Sequence, residues 1–296
     1  MASQTFASPS GTSIMYVFVF LRNRFNQLQK SFLSPETTAL WMSKQHIQKI
    51  YALFFHKFCI PFWFILIWAS LIRILQLPNY ILPTPMEVLQ SLINHGSLIL
   101  LQALPTLLEI FLGLSLSLVF GISIALGMCS FRPLHNFLLP LLLASQALPV
   151  FAIAPLLVLW FGYGIMAKII TATFMLFFPI TNNFLAGLKQ TPETYLNIAK
   201  MMNSSQRQIL YQIRIPYALP HLASGIRLAT AMAPLAAIIG EWVGTNQGLG
   251  FLLLNANAQM QIDLMFAVLF VIFFLGILLY FLIDTLLKWV LPWSFS

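Results

Sequence analysis

The chain has 296 residues, 59% of them hydrophobic and 7% charged, with a mean hydropathy of +0.87. So little polar surface cannot cover a water-soluble globule, which leaves an all-α membrane protein embedded in a lipid bilayer. The net charge of +8 then needs no nucleic acid, because lysines and arginines gather on the cytoplasmic side of membrane helices.

Residues 1–41 are rich in Ser, Thr and Gln. Their apolar run Ile14–Leu21 is too short to span and has no small-residue cleavage site after it, so no signal peptide is predicted. This stretch reads as a disordered extension or a misassigned start, dispensable for insertion and activity. Residues 42–57 read as a basic, amphipathic, cytoplasmic lead-in.

Six apolar runs follow: Phe58–Leu77, Leu98–Met128, Phe137–Trp160, Met166–Leu188, Leu222–Val243 and Leu264–Leu287. Each is long enough to cross roughly 30 Å of hydrocarbon as helix. The second exceeds that need, which predicts a tilt or a start outside the bilayer. With the N-terminus inside, Arg22, Arg24, Lys30, Lys44, Lys49, Lys57, Arg132, Lys189, Lys200, Arg207, Arg214 and Lys288 fall on the cytoplasmic side, and Arg227 near it. Arg73 and Lys168 alone fall near the outer surface. This asymmetry predicts an N-in, C-in topology.

Between the fourth and fifth runs lies a polar, basic, helix-forming loop, Thr191–Pro220. Thr191 is an expected N-cap, with Pro192 at the first helical position and Glu193 at the positive end of the helix dipole. A short helix to about Met202 follows, and Asn203 breaks it, since Asn tolerates the left-handed conformation. Ser205 and Gln208 form a capping-box pattern that opens a second helix. That helix is expected to end near Arg214, ahead of Pro216. Leu196, Ile198, Met201 and Met202 would place adaptable apolar side chains at the corner, suited to a groove on a partner. A hairpin lying on the lipid surface is the alternative.

This loop resembles the EAA loop of ABC-importer permeases. In register, Asn197-Ile198-Ala199, Asn203 and Ile215-Pro216 align with the pattern, and Leu219-Pro220 follow. Asn197 departs from the family's glutamate and Asn203 from its glycine. Leu82-Pro83-Thr84-Pro85, Glu87-Val88, Leu159-Trp160-Phe161-Gly162-Tyr163-Gly164, and Glu241-Trp242-Val243-Gly244 with Gly248-Leu249-Gly250 resemble the nitrate, sulfonate and taurine permease group. The run Gly240–Phe270, with Ala199–Asn203, is most similar to the thiamine-precursor hydroxymethylpyrimidine branch. The resemblance spans the predicted transmembrane permease domain, residues 58–292, and makes 189–220 its coupling loop.

The resemblance implies a type I importer permease fold in a bacterial inner membrane. It implies two permease copies, two ABC ATPase subunits, and a periplasmic or lipid-anchored solute-binding protein. The coupling contact falls on Asn197, Ile198, Ala199, Met201, Met202, Asn203, Ser204, Ser205 and Pro216. ATP and Mg would belong to the ATPase, since this sequence has no G-x-x-x-x-G-K phosphate loop and binds no cofactor of its own. The solute would be a thiamine-precursor pyrimidine, or alternatively a sulfonate, taurine or nitrate.

Acidic residues within apolar runs cost a few kcal/mol each unless paired or hydrated. Glu109 is placed at a helix–helix interface or beside water. Glu241 and Trp242, with Gly248 and Gly250, fall at the family's outer constriction and suggest a structural or gating role. Asp263 and Asp284 read as solvated helix ends. Asn255, Asn257, Gln259 and Gln261 alternate, which places amides along the outer pathway without deciding helix or strand. With no Lys or Arg expected deep in a span, the amides tilt the reading towards an uncharged solute.

No catalytic or metal-binding set emerges. Gly113-Leu114-Ser115-Leu116 matches an intramembrane protease pattern, but none of the five histidines is placed to activate Ser115. Cys59 and Cys129 lack metal-type spacing, as do the histidines, and read as packing residues. An ion-driven secondary transporter is the rival class; it predicts an intramembrane acid–base pair and an internal repeat, the latter not evident, and it leaves the cytoplasmic loop unexplained.

Overall fold

The computed structural model describes residues 62–244 and 246–294. Residues 1–41 and 42–57, whose roles were read from sequence, lie outside them, as does Cys59. The chain divides into two compact units, Met1–Ser70 and Leu71–Ser296, and the packing that follows is that of the second.

All described elements are helices. They are α1 (Phe62–Leu75), α2 (Pro85–Asn94), α3 (Gly96–Ser130), α4 (Arg132–Ala147), α5 (Val150–Phe161), α6 (Ile165–Lys189), α7 (Glu193–Met201), α8 (Gln206–Gly244), α9 (Leu249–Ala258) and α10 (Ile262–Val290). Among the described residues, α3, α6, α8 and α10 are long and apolar enough to cross a membrane. At 35 residues, α3 is about 52 Å long, which matches the expected overlength of the second span.

The predicted third span is not one helix. Leu148 and Pro149 separate α4 from α5, and the two axes bend by 105°. Pro149 has no N–H to continue α4, and it holds Leu148 extended at φ −84°, ψ 123°.

The core lies where α6 packs against α3 on one side and α8 on the other. Without a hydrophobic force between helices in lipid, close packing must supply the attraction, and small residues permit it. A Cβ at Gly113 would come 2.7 Å from Ala172 Cβ, and one at Gly225 would come 2.8 Å from the Pro179 carbonyl oxygen. Ala172, Ala229, Ala233, Ala236 and Ala237 are wholly buried along the same seams.

The loop between α6 and α8 follows the expected helix, corner and helix, with two corrections. Thr191 does not cap α7: its hydroxyl turns back to donate to the Leu188 carbonyl at the end of α6, at 3.2 Å, and Pro192 takes the cap position. Nor does the second helix stop near Arg214. Residues Leu210–Arg214 widen into a π-helical turn and α8 runs through Pro216 to Gly244. The Ile215 N–H reaches back five residues to the Leu210 carbonyl, a register shift that admits the proline ring into a continuous helix.

At the inner end of α8 and α10, Asp284 is not a bare solvated helix end. It accepts from Arg227 Nε and from Lys288 Nζ, each at 2.6 Å.

Candidate functional site

Two places concentrate chemistry in an otherwise apolar molecule. The first begins on α3, where Gln102, Thr106 and Glu109 recur at intervals of four and three and so share one helical face. Opposite stands Lys168, in the first turn of α6, and Glu241, in the last turn of α8. Glu109, Lys168 and Glu241 are all buried. Lys168 Nζ donates to Glu109 Oε1 at 2.5 Å and to the Gln247 carbonyl at 3.3 Å. Thr106 donates to Glu241 Oε1 at 2.6 Å.

The same side chains hold the loop that joins α8 to α9. Gly250 N–H donates to Glu241 Oε2 at 2.5 Å, Leu249 N–H to Thr106 Oγ1 at 2.9 Å, and Gly248 N–H to Gln102 Oε1 at 2.6 Å. These are the first N–H groups of α9, which a helix leaves without internal partners. The Glu241 carboxylate thus also meets the positive end of a helix dipole. Gly248 sits at φ +113°, ψ 165°, a conformation almost confined to glycine. A Cβ there would overlap the Glu241 carboxylate.

This arrangement places Glu109 at a helix–helix interface and gives Glu241, Gly248 and Gly250 a shared hydrogen-bond network. Lys168 stands in the first turn of α6, at the end of the span where the sequence placed it, but it is turned into the protein and is 4% exposed. Trp242 stands beside the network, edge-on to Phe151 with centroids 5.9 Å apart. Asn255, Asn257 and Gln259 do not join it; all are exposed. They lie on or just after a helix, so alternate positions fall on different faces, and Gln259 Nε2 instead donates to Asn255 Oδ1 at 3.2 Å.

Sequence reasoning missed Gln102, Thr106 and the partner role of Lys168. The one-face spacing of Gln102, Thr106 and Glu109 was the available signal.

The second place is the corner between α7 and α8. Asn203 adopts φ +55°, the left-handed conformation expected of it. Ser204 N–H bonds back to the Ala199 carbonyl at 3.0 Å and Met202 N–H to the Ile198 carbonyl at 3.0 Å, so the end of α7 is closed. Ser205 and Gln208 complete a reciprocal capping box that opens α8. Ala199 is buried beneath the corner, while Ile198 is 51%, Met201 86% and Met202 75% exposed. Asn197 and Ser205 are exposed, Ser204 is half-buried, and Pro216 is exposed beyond the π turn. The chain therefore presents flexible apolar side chains on a rigidly capped turn, a surface that adapts to a groove.

Comparison with known proteins agrees with this architecture. Residues 117–294 match the family model described as "Binding-protein-dependent transport system inner membrane component". A probable ABC transporter permease protein of Haemophilus influenzae is 47% identical over 223 residues, covering 75% of this chain and 91% of that protein. The formylaminopyrimidine transport permease protein ThiX of Halalkalibacterium halodurans is 38% identical over 228 residues, covering 77% and 91%. Among solved structures, the inward-facing MetNI methionine ABC transporter aligns with a TM-score of 0.57 at 19% identity, over 65% of this chain and 96% of that one. The chain thus belongs to the binding-protein-dependent transport system inner-membrane-component family and is a permease subunit of an ABC importer.

Proposed function

We propose that this permease imports a small, uncharged pyrimidine of the thiamine-precursor type across a bacterial inner membrane, with both termini in the cytoplasm. The reading rests on the 38% identity with a formylaminopyrimidine permease over 91% of that protein. Two copies of the chain form the pathway, and a periplasmic or lipid-anchored binding protein delivers the solute. ATP and Mg reside on two separate ATPase subunits, and this chain catalyses nothing itself.

The corner formed by Ile198, Met201, Met202 and Asn203 is the handle for each ATPase. Closing of the ATPases moves the two corners together, and the stiff, continuous α8 carries that motion outward as rigid-body alternating access. The buried Lys168 does not argue for an anionic solute, because its ammonium is already engaged by Glu109 and the Gln247 carbonyl.

The test is ATP hydrolysis by the complex reconstituted with its ATPase and binding protein. The binding protein is supplied empty, loaded with formylaminopyrimidine, or loaded with a sulfonate. Stimulation by the pyrimidine-loaded form alone is expected. Stimulation by the sulfonate-loaded form alone would move the substrate to the sulfonate, taurine or nitrate class. Failure of any ATPase to associate would remove the assignment of the corner and revive an ion-driven mechanism.

A further inference from the structure

A cavity of about 310 Å³ lies among the loop before α2, α2 itself and the turn from α9 into α10. Thr84 and Glu87, part of the motif that marked this stretch in sequence, close a reciprocal capping box that opens α2. Glu87, Gln90, Ser91 and Asn94 then recur at helical spacing and line the cavity. The apolar Met86, Leu89 and Ile93 are exposed instead. A polar stripe turned onto a cavity, with apolar side chains facing out, reverses the pattern of a surface helix that buries its apolar face.

The cavity carries two carboxylates, and among the described residues no lysine, arginine or histidine lines it. Glu87 accepts from Asn79 Nδ2 at 2.6 Å and from the Thr84 N–H at 2.9 Å, and neither donor is a cation. Asp263, half-buried in the first turn of α10, has no hydrogen bond or ion pair among the described residues. Helix dipoles account for an acid in the first turn of α2 and of α10. They do not account for both acids facing one cavity without a counter-charge, a setting that draws in positive charge.

Position narrows the source of that charge. Helices α8 and α10 run antiparallel: Arg227 pairs with Asp284, and further along a Cβ at Gly276 would meet Pro234 at 3.2 Å. The cavity, at the start of α10, therefore lies at the end of the pair remote from the corner that opens α8. Tyr80 and Met260 stand exposed on its lining, and aromatic and methionine side chains are enriched where proteins meet. Its volume is at the lower limit of ligand pockets, about 300–1,000 Å³, which fits a single side chain.

We propose that this cavity receives a lysine or arginine side chain of the solute-binding protein, docked on the face opposite the ATPases. The inference rests on the functional reading that a binding protein delivers the solute, and it adds where that protein is held and by which chemistry. Glu87 and Asp263 supply the opposing charge, and the Gln90 and Asn94 carboxamide oxygens accept further N–H groups. Tyr80 and Met260 cover the aliphatic stem of the incoming side chain.

The experiment titrates the complete transporter in lipid nanodiscs with its fluorescently labelled solute-binding protein, at several salt concentrations. Glu87→Gln removes the charge and keeps a residue able to complete the capping box. Asp263→Asn removes a charge that has no partner among the described residues. Each should raise Kd about five- to tenfold, between the contributions of an exposed and a desolvated ion pair. Each should also flatten the salt dependence of binding, with maximal ATPase stimulation at saturation retained. Asp263→Arg sets a like charge against the incoming side chain and should weaken binding further. Wild-type Kd and salt dependence in all three variants would overturn the site. So would an unchanged Kd with lost stimulation, which would give the cavity to a free cation or to the fold. Should Asp263→Arg lower the yield of folded transporter, Glu87→Gln and Asp263→Asn decide. A wild-type transporter that does not bind its binding protein would sink the functional reading, whereas wild-type binding that the variants leave intact would sink this inference alone.

Discussion

Lys168 Nζ and Glu109 Oε1 lie 2.5 Å apart across the α3–α6 seam, with side chains only 5% and 1% exposed. Glu241 is within Coulombic reach of the same ammonium, so two carboxyl groups face one cation. Removing Lys168 leaves both acids without a counter-charge, whereas removing the charge of Glu109 leaves Lys168 balanced by Glu241. We expect Lys168→Met to destabilise the protein by about 3–5 kcal/mol and Glu109→Gln to cost distinctly less. Thermal unfolding of the purified variants in detergent checks this order; equal losses would refute the charge-balance account.

The network around Glu241 requires glycine at position 248. Gly248→Ala places a side chain in a backbone region that costs about 1–3 kcal/mol by strain alone, and its Cβ displaces the Glu241 carboxylate from the Gly250 N–H. We expect a lower unfolding temperature and faster amide exchange at the start of α9. Wild-type exchange at Leu249 and Gly250 would show that Glu241 does not hold this loop.

At the corner, replacing Met202 and Asn203 together by Asp puts charge into the apolar handle. ATP-driven uptake should be abolished while membrane insertion persists. Normal uptake by the double variant would move the ATPase contact elsewhere.

The cap of α8 is a separate and smaller matter. Ser205→Ala removes the acceptor of the Gln208 N–H and should cost about 1 kcal/mol. The effect should be confined to faster exchange in the first turn, Gln206–Ile209. Global destabilisation would mean that the corner supports the core and is not a local handle.

Local rules made the corner legible. The left-handed tolerance of Asn203 and the Ser205/Gln208 pairing act within a few residues, so sequence alone placed the turn. The Pro216 expectation failed because a π turn, invisible in propensity, relocates the hydrogen bonds that the proline would break. The length of the apolar runs likewise placed the long helices, yet missed the break at Pro149, where the apolar run continues but the backbone does not.

The sequence by itself determined that the chain is a helical membrane protein with a structured loop, because hydropathy, helix capping and positive charge bias are local quantities. Only the tertiary structure decided what the buried charges do. Glu109, Lys168 and Glu241 are 59 and more residues apart in sequence, and an apolar setting permits such charges only where packing brings partners within hydrogen-bond distance. That distance depends on how α3, α6 and α8 cross, which is set by small residues such as Gly113 and Gly225 meeting their neighbours, and by no single segment.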